Sequence, residues 1–204
     1  MNRFIALFAL LLAVAPLQAR KATEVAPLLI GMKTPKVNVV DESGATQYLP
    51  SLLKEKRTAL IFYRGGWCPY CSKHLQELAQ IEQELIDLGY QIVAISPDSP
   101  EMLNTVEKDA DLPYQLFSDS SFEAAEAFGI DFTLDKATLL KYKAYGIDLE
   151  KNSGGKNKNR LPVPAVFLIG PKNTVEFSYV NPDYSERISG DLILAVAKTL
   201  ANKE

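Results

Sequence analysis

Two apolar stretches, Thr58–Tyr63 and Gln91–Ser96, flank a single helical pattern, and this order limits the fold more than any other feature of the chain. Each stretch reads as a buried strand. Between them Leu75, Leu78, Ile81 or Glu82, Leu85 and Leu88 recur at spacings of three and four, so a helix from about Lys73 to Leu88 can lay one stripe on a sheet. Gly89 is a fitting stop for it. Strand, helix, strand implies a parallel pair, because a parallel neighbour needs a crossover connection.

The chemistry is expected at the first of these junctions. The string Phe62-Tyr-Arg-Gly-Gly-Trp-Cys-Pro-Tyr-Cys71 carries both cysteines of the chain and its only tryptophan. Cys68 falls where strand gives way to helix, and there free backbone N–H groups and the helix dipole favour a thiolate over a thiol. Arg64 adds positive charge, and such surroundings lower a cysteine from about 8.5 into the range of roughly 3.5 to 7.5. Pro69 suits a first helical turn and restricts the loop between the two sulfurs. A pair three positions apart closes too small a loop to brace a fold, so a redox dithiol is expected rather than a structural disulfide. A zinc site usually takes four ligands, whereas the chain offers no further cysteine and one histidine, so neither a metal nor a separate cofactor is expected. That histidine, His74, lies one turn beyond Cys71. It is either a proton relay for thiol chemistry or an ordinary exposed helix residue.

On these residues the chain resembles the alkyl-hydroperoxide-reductase and thiol-specific-antioxidant group, the peroxiredoxin-like branch of the thioredoxin superfamily. The Cys-Pro-Tyr-Cys tetrad alone is also similar to glutaredoxins. The resemblance covers nearly the whole chain after residue 19, including Tyr179-Val-Asn-Pro-Asp-Tyr184, and implies an α/β thioredoxin-like fold with a central mixed sheet flanked by helices. It implies too that Val163–Pro164 is a cis bond facing the cysteines, with Trp67, Tyr70 and Pro164 forming the rim that receives substrate. The match has gaps. The peroxiredoxin pattern Pro-x-x-x-Thr/Ser-x-x-Cys aligns Cys71 with the attacking cysteine but sets Arg64 at the proline and Cys68 at the hydroxyl. Related proteins carry a glutamate where His74 stands, and many have an arginine where Pro164 stands, with Arg160 or Arg64 as candidate substitutes. The buried aspartate of thioredoxins is replaced by Phe62.

The remaining chain fills in one domain. Val37–Val40 reads as a strand before a turn at Asp41–Gly44, a helix follows from about Glu101 to Asp109, and Tyr114–Phe117 is a short strand. Ser121 is the expected cap of a helix from Phe122 to Phe128. Lys136–Tyr145 is helical in pattern and looks like an insertion relative to a minimal thioredoxin domain. Lys151–Arg160, with four positive charges, two glycines and no apolar residue, reads as a mobile surface loop. Ala165–Ile169 and Thr174–Tyr179 form a hairpin, and Ser189 caps a last helix to about Leu200.

Residues 1–19 read as a cleaved export signal: basic Arg3, the apolar run Phe4–Ala15 ended by Pro16, and small Ala19 at the cleavage site. A periplasmic domain of residues 20–204 is therefore expected, with no membrane attachment beyond that signal. The net charge of −3 offers no general attraction for nucleic acid. The function expected first is thiol-disulfide exchange: Cys68 attacks a disulfide in a protein substrate, Cys71 resolves the mixed disulfide, and an external thiol restores the pair. The alternative is a thiol-dependent peroxidase acting on hydrogen peroxide or alkyl hydroperoxides. A second alternative is a non-catalytic binding module of the same fold.

Overall fold

The computed structural model describes residues 20–54 and 56–202. The export signal expected at residues 1–19 lies outside them. The strands are β1 (Asn38–Val40), β2 (Thr46–Tyr48), β3 (Arg57–Phe62), β4 (Tyr90–Ser96), β5 (Gln115–Ser118), β6 (Asp131–Thr133), β7 (Arg160–Pro162), β8 (Ala165–Gly170) and β9 (Thr174–Val180). The helices are α1 (Leu49–Leu52), α2 (Pro69–Gln80), α3 (Glu82–Asp87), α4 (Pro100–Ala110), α5 (Glu123–Ala127), α6 (Lys136–Ala144), α7 (Leu149–Asn152) and α8 (Gly190–Ala201).

Seven strands form one mixed sheet in the order β2-β1-β5-β4-β3-β8-β9, and β6 pairs with β7 apart from it. The expected parallel pair is β3 with β4, in register from Arg57 opposite Tyr90 to Phe62 opposite Ile95. Strand β8 lies antiparallel on the other side of β3, with Ala165 opposite Phe62. Because side chains alternate along a strand, β3 feeds two cores. Ala59, Ile61 and Tyr63 pack with Leu75, Leu78, Ile193 and both cysteines, while Leu60 and Phe62 pack with Phe128 and Phe167 on the opposite face. Phe62 touches both of those rings, at 4.9 and 6.2 Å between centroids. A phenylalanine thus fills a core position where a thioredoxin would hold its aspartate.

Parallel register also brings the segments after β3 and β4 together. Asp98, just past β4, accepts the Gly66 N–H at 2.8 Å and the Ser96 hydroxyl at 3.1 Å. The glycine pair is required by closeness: a Cβ on Gly65, whose φ is +139°, would overlap Trp67 and Asp98, and one on Gly66 would overlap Val106.

Several expectations need correction. The single helix from Lys73 to Leu88 is two, because Ile81 leaves helical geometry at φ −104° and ψ 2°, and its N–H bonds to Leu78 O in a tighter turn. Ser121 does not cap α5. The cap residue by position is Phe122, and Asp119 performs the capping, its two carboxylate oxygens accepting the Ala124 and Ala125 N–H groups. No peptide bond among the described residues is cis, so Val163–Pro164 is trans. Backbone bonds hold this passage as the chain leaves β7 for β8: Val163 N–H donates to Ile130 O, and Pro164 O accepts from Asn181 N–H.

The basic stretch 151–160 is not a loose loop. Ser153 and Asn157 are buried. The Ser153 hydroxyl accepts the Asn157 N–H, and the Asn157 side chain accepts from Asn159 and Arg160 N–H while donating to Arg160 O. Composition hid this, since two short polar side chains can replace an apolar core locally by bonding backbone groups. Ser189 does cap α8, accepting the Leu192 N–H.

Candidate active site

Cys68 occupies the cap position of α2 with extended backbone, Pro69 is the first helical residue, and Cys71 lies one turn inside. Both thiols are free and buried. The Cys68 carbonyl accepts the Cys71 N–H at 2.9 Å, which closes the first turn. The two sulfurs differ chemically. Cys68 is pulled down to about 6 by a hydrogen bond from the Cys71 thiol, against the opposing effect of burial, with Arg64 and the Cys71 N–H adding to the pull. Burial pushes the Cys71 thiol well up, and the neighbouring Cys68 pushes it further. One sulfur is therefore a thiolate near neutral pH and the other its proton donor.

Each sulfur has its own guanidinium. Arg64 Nη1 lies 3.8 Å from Cys68 Sγ, and Arg187 Nη2 lies 3.6 Å from Cys71 Sγ. Arg64 is 3% exposed, and the rings of Tyr184, Trp67 and Tyr142 surround it at 4.0, 5.0 and 5.7 Å from its central carbon. Its Nη2 donates to the Tyr142 hydroxyl. A guanidinium is well suited to such ring faces, which take positive charge without supplying a carboxylate to compete with the thiolate.

Cys68 opens on a cavity of about 460 Å³ whose walls include Arg64, Trp67, Pro69, Tyr70, Tyr142 and Tyr184. On the other side Tyr70, His74, Glu77 and Arg187 line a smaller hollow of about 280 Å³. A further hollow of about 410 Å³ lies by Arg57, Gly89 and Gly170, at the far end of β3, and has no cysteine in its wall. Of the residues the sequence singled out, Cys68, Arg64, Trp67, Pro69 and Tyr70 thus meet at one cavity, with Cys71 beneath. Pro164 is beside the motif only through the sheet, since Ala165 opposes Phe62, and it is not part of the cavity wall.

His74 is buried rather than exposed, and its Nε2 has no hydrogen-bond partner among the described residues. Burial, then the nearby Arg187 charge, lower it to about 4, so its imidazole is neutral at neutral pH. Arg160 is spent elsewhere, on Glu126 and Asp131, and does not stand in for the arginine expected near the thiolate. Sequence reasoning missed Arg187, Tyr142 and Tyr184. Tyr184 belongs to a segment already singled out by resemblance, but nothing local marks Arg187 or Tyr142 as neighbours of the cysteines.

A family profile described as the AhpC/TSA family matches residues 30–178. The chain belongs to this family. Peroxiredoxin Bcp of Bacillus subtilis strain 168 is 30% identical over 101 residues, covering 50% of this chain and 64% of that protein. Peroxiredoxin Bcp of Escherichia coli strain K12 is 29% identical over 104 residues, covering 51% and 66%. The matched stretch therefore spans just under two-thirds of each relative. Among solved structures, peroxidoxin BcpB from Mycobacterium tuberculosis superposes with a TM-score of 0.66 at 19% identity, over 84% of this chain and 97% of that one. Reduced Prx3 from Vibrio vulnificus in complex with hydrogen peroxide gives 0.68 at 16%, over 84% and 96%. These likenesses establish the peroxiredoxin type of thioredoxin-like fold.

Proposed function

We propose that the protein is a thiol-dependent peroxidase in which Cys68 is the nucleophile and Cys71 the resolving thiol. The observation that carries this reading is the asymmetry of the pair: Cys68 is held near 6 beside Arg64 and opens on the larger cavity, while Cys71 is buried and raised. The Cys68 thiolate attacks the peroxide, the O–O bond breaks, and Cys68 becomes a sulfenic acid as the alkoxide or hydroxide leaves and takes a proton. Cys71 then attacks that sulfur, releasing water and forming the Cys68–Cys71 disulfide. Two equivalents of an external thiol return the dithiol and leave oxidised donor. Arg64 stabilises negative charge at the attacking sulfur, and Trp67, Pro69 and Tyr70 form the wall that substrate meets.

Membership of the AhpC/TSA family favours peroxide over a protein disulfide as oxidant, which reverses the order expected from the Cys-Pro-Tyr-Cys tetrad. Disulfide exchange at the same dithiol remains a second reading, favoured by Tyr70, which is 45% exposed, lines the same cavity as Cys68 and offers a surface to a protein partner. An assay of peroxide consumption run beside one of disulfide reduction, each with a thiol donor, separates them. In the C71S protein, peroxide should leave a sulfenic acid on Cys68 that dimedone traps. This assignment departs from the peroxiredoxin pattern, which aligns Cys71 with the attacking cysteine, and rapid labelling at Cys71 in the C68S protein, with peroxide turnover retained, would restore the family's order. Export remains a proposal resting on the pattern of residues 3–19, and a mature N-terminus at Arg20 is its test.

A further inference from the structure

The segment between β6 and β7 brings α6 to the redox site, although no residue of this helix is buried. Leu140 is 69% exposed, and the half-buried Tyr142 and Thr138 face the cavity that Cys68 opens on. A helix without a buried face gains little from packing, so the contacts of Tyr142 require an explanation of their own. Its ring stands edge-on to Trp67 at 5.5 Å, and its hydroxyl accepts a hydrogen bond from Arg64 Nη2. Arg64 forms no salt bridge among the described residues, and its Nε has no partner. Nη1 meets the Cys68 sulfur and Nη2 meets Tyr142, so the planar fork is fixed at two ends, one of them by α6.

We propose that Tyr142 is a positioning residue that holds the Arg64 guanidinium against the Cys68 sulfur, making the α6 insertion a wall of the redox site. This rests on the dithiol being the reactive centre. The groups acting on the Cys68 thiol are the Cys71 thiol and N–H, Arg64 and Arg187, and Tyr142 shares the cavity wall with it and lies within electrostatic reach of Cys68, Arg64 and Tyr184. Of these, Arg64 is the one that Tyr142 touches. Removing Tyr142 has two opposed consequences. It releases Arg64 from the sulfur, which raises the Cys68 midpoint, and it admits water to the cavity, which lowers it by hydrating the thiolate. The sign of the shift therefore separates a positioning residue from a mere cover.

The test follows the rate of Cys68 alkylation by iodoacetamide against pH in the reduced full-length protein, read at that residue by mass spectrometry. In Y142A the midpoint should rise by about one pH unit, so that labelling below it slows about tenfold. Y142F keeps both ring contacts but loses the acceptor oxygen, and should move the midpoint by less in the same direction. In an R64A background, Y142A should add nothing, because the two act as one unit. An unchanged or lowered midpoint in Y142A overturns the proposal, as does a full second shift in the R64A background. If circular dichroism finds Y142A unfolded, Y142F decides, and an unmoved midpoint there overturns it. Alkylation needs no substrate, so a wild-type protein that consumes no peroxide refutes the peroxidase reading alone, while turnover with an unmoved midpoint refutes the positioning role alone.

Discussion

Arg64 and Arg160 are the same residue placed in opposite circumstances. Arg160 bridges Asp131 at 2.7 Å and Glu126 at 2.9 Å, and the buried Asn157 beside it bonds its backbone. In that corner the charge of Arg160 is met by carboxylates. Arg64 is more deeply buried, yet it has ring faces and a tyrosine hydroxyl in place of a carboxylate, and a thiol that becomes an anion. Asp98 repeats the contrast. It is buried beside the motif with hydrogen bonds but no salt bridge among the described residues, whereas Asp131 has Arg160 and Arg20. Buried charge without a counter-ion destabilises a fold, and of these two groups only Arg64 lies against a sulfur, which its charge stabilises as a thiolate.

The largest effect that can break this comparison lies in Asp98. Burial lifts its carboxyl from 3.8 to about 6, so the folded state binds the proton more tightly than the unfolded chain. The resulting stability is fully present below about pH 4 and is lost as pH rises through about 6. D98N cannot ionise, so its stability relative to wild type should improve by up to about 3 kcal/mol between pH 4 and 7, whatever constant offset the lost Gly66 bond adds. Urea unfolding at a series of pH values measures this. A difference that stays flat with pH would show that Asp98 carries no uncompensated charge.

Next comes R160A, which removes both ion pairs from a half-buried corner and should cost about 2 kcal/mol in the same unfolding measurement, leaving Asp131 and Glu126 without that partner. Cys68 alkylation should stay at the wild-type rate. A change in thiol reactivity would mean that the two corners communicate and that the contrast is false.

The smallest effect sharpens the comparison from the other side. R64A should slow Cys68 alkylation near pH 7 about tenfold, equivalent to about 1.4 kcal/mol, as the thiol moves back toward its ordinary value near 8.5. Global stability should hold or rise, since a buried cation without a carboxylate is removed. Marked destabilisation would place Arg64 with Arg160 as a structural arginine.

Much of this molecule was legible because its signals are local. Strand β3, the cap position of Cys68, the proline in the first turn of α2 and the Ser189 cap of α8 all depend on residues within a few positions of one another. The 151–160 segment was misread for the opposite reason. Its composition is that of a solvated loop, and only the folded chain lets Ser153 and Asn157 close on each other in a buried corner. The cap of α5 was misassigned similarly, because Asp119 reaches forward to Ala124 and Ala125 from the end of β5, while the nearer Ser121 has the more usual cap chemistry.

The sequence by itself determined that the chain alternates strands and helices, that its two cysteines meet at a strand-to-helix junction, and that Cys68 is the one at the helix start. Continuous apolar runs, a stripe at helical spacing and the helix dipole suffice for that. Only the tertiary structure decided what surrounds the sulfurs. Arg187 reaches Cys71 from 116 positions away and Tyr142 reaches Arg64 from 78, and His74 changes from a helix residue of open role to a buried neutral imidazole once α8 and the segment before it close over α2. Burial and long-range charge set the acidity of a thiol, and both arise from chain segments that no local pattern brings together.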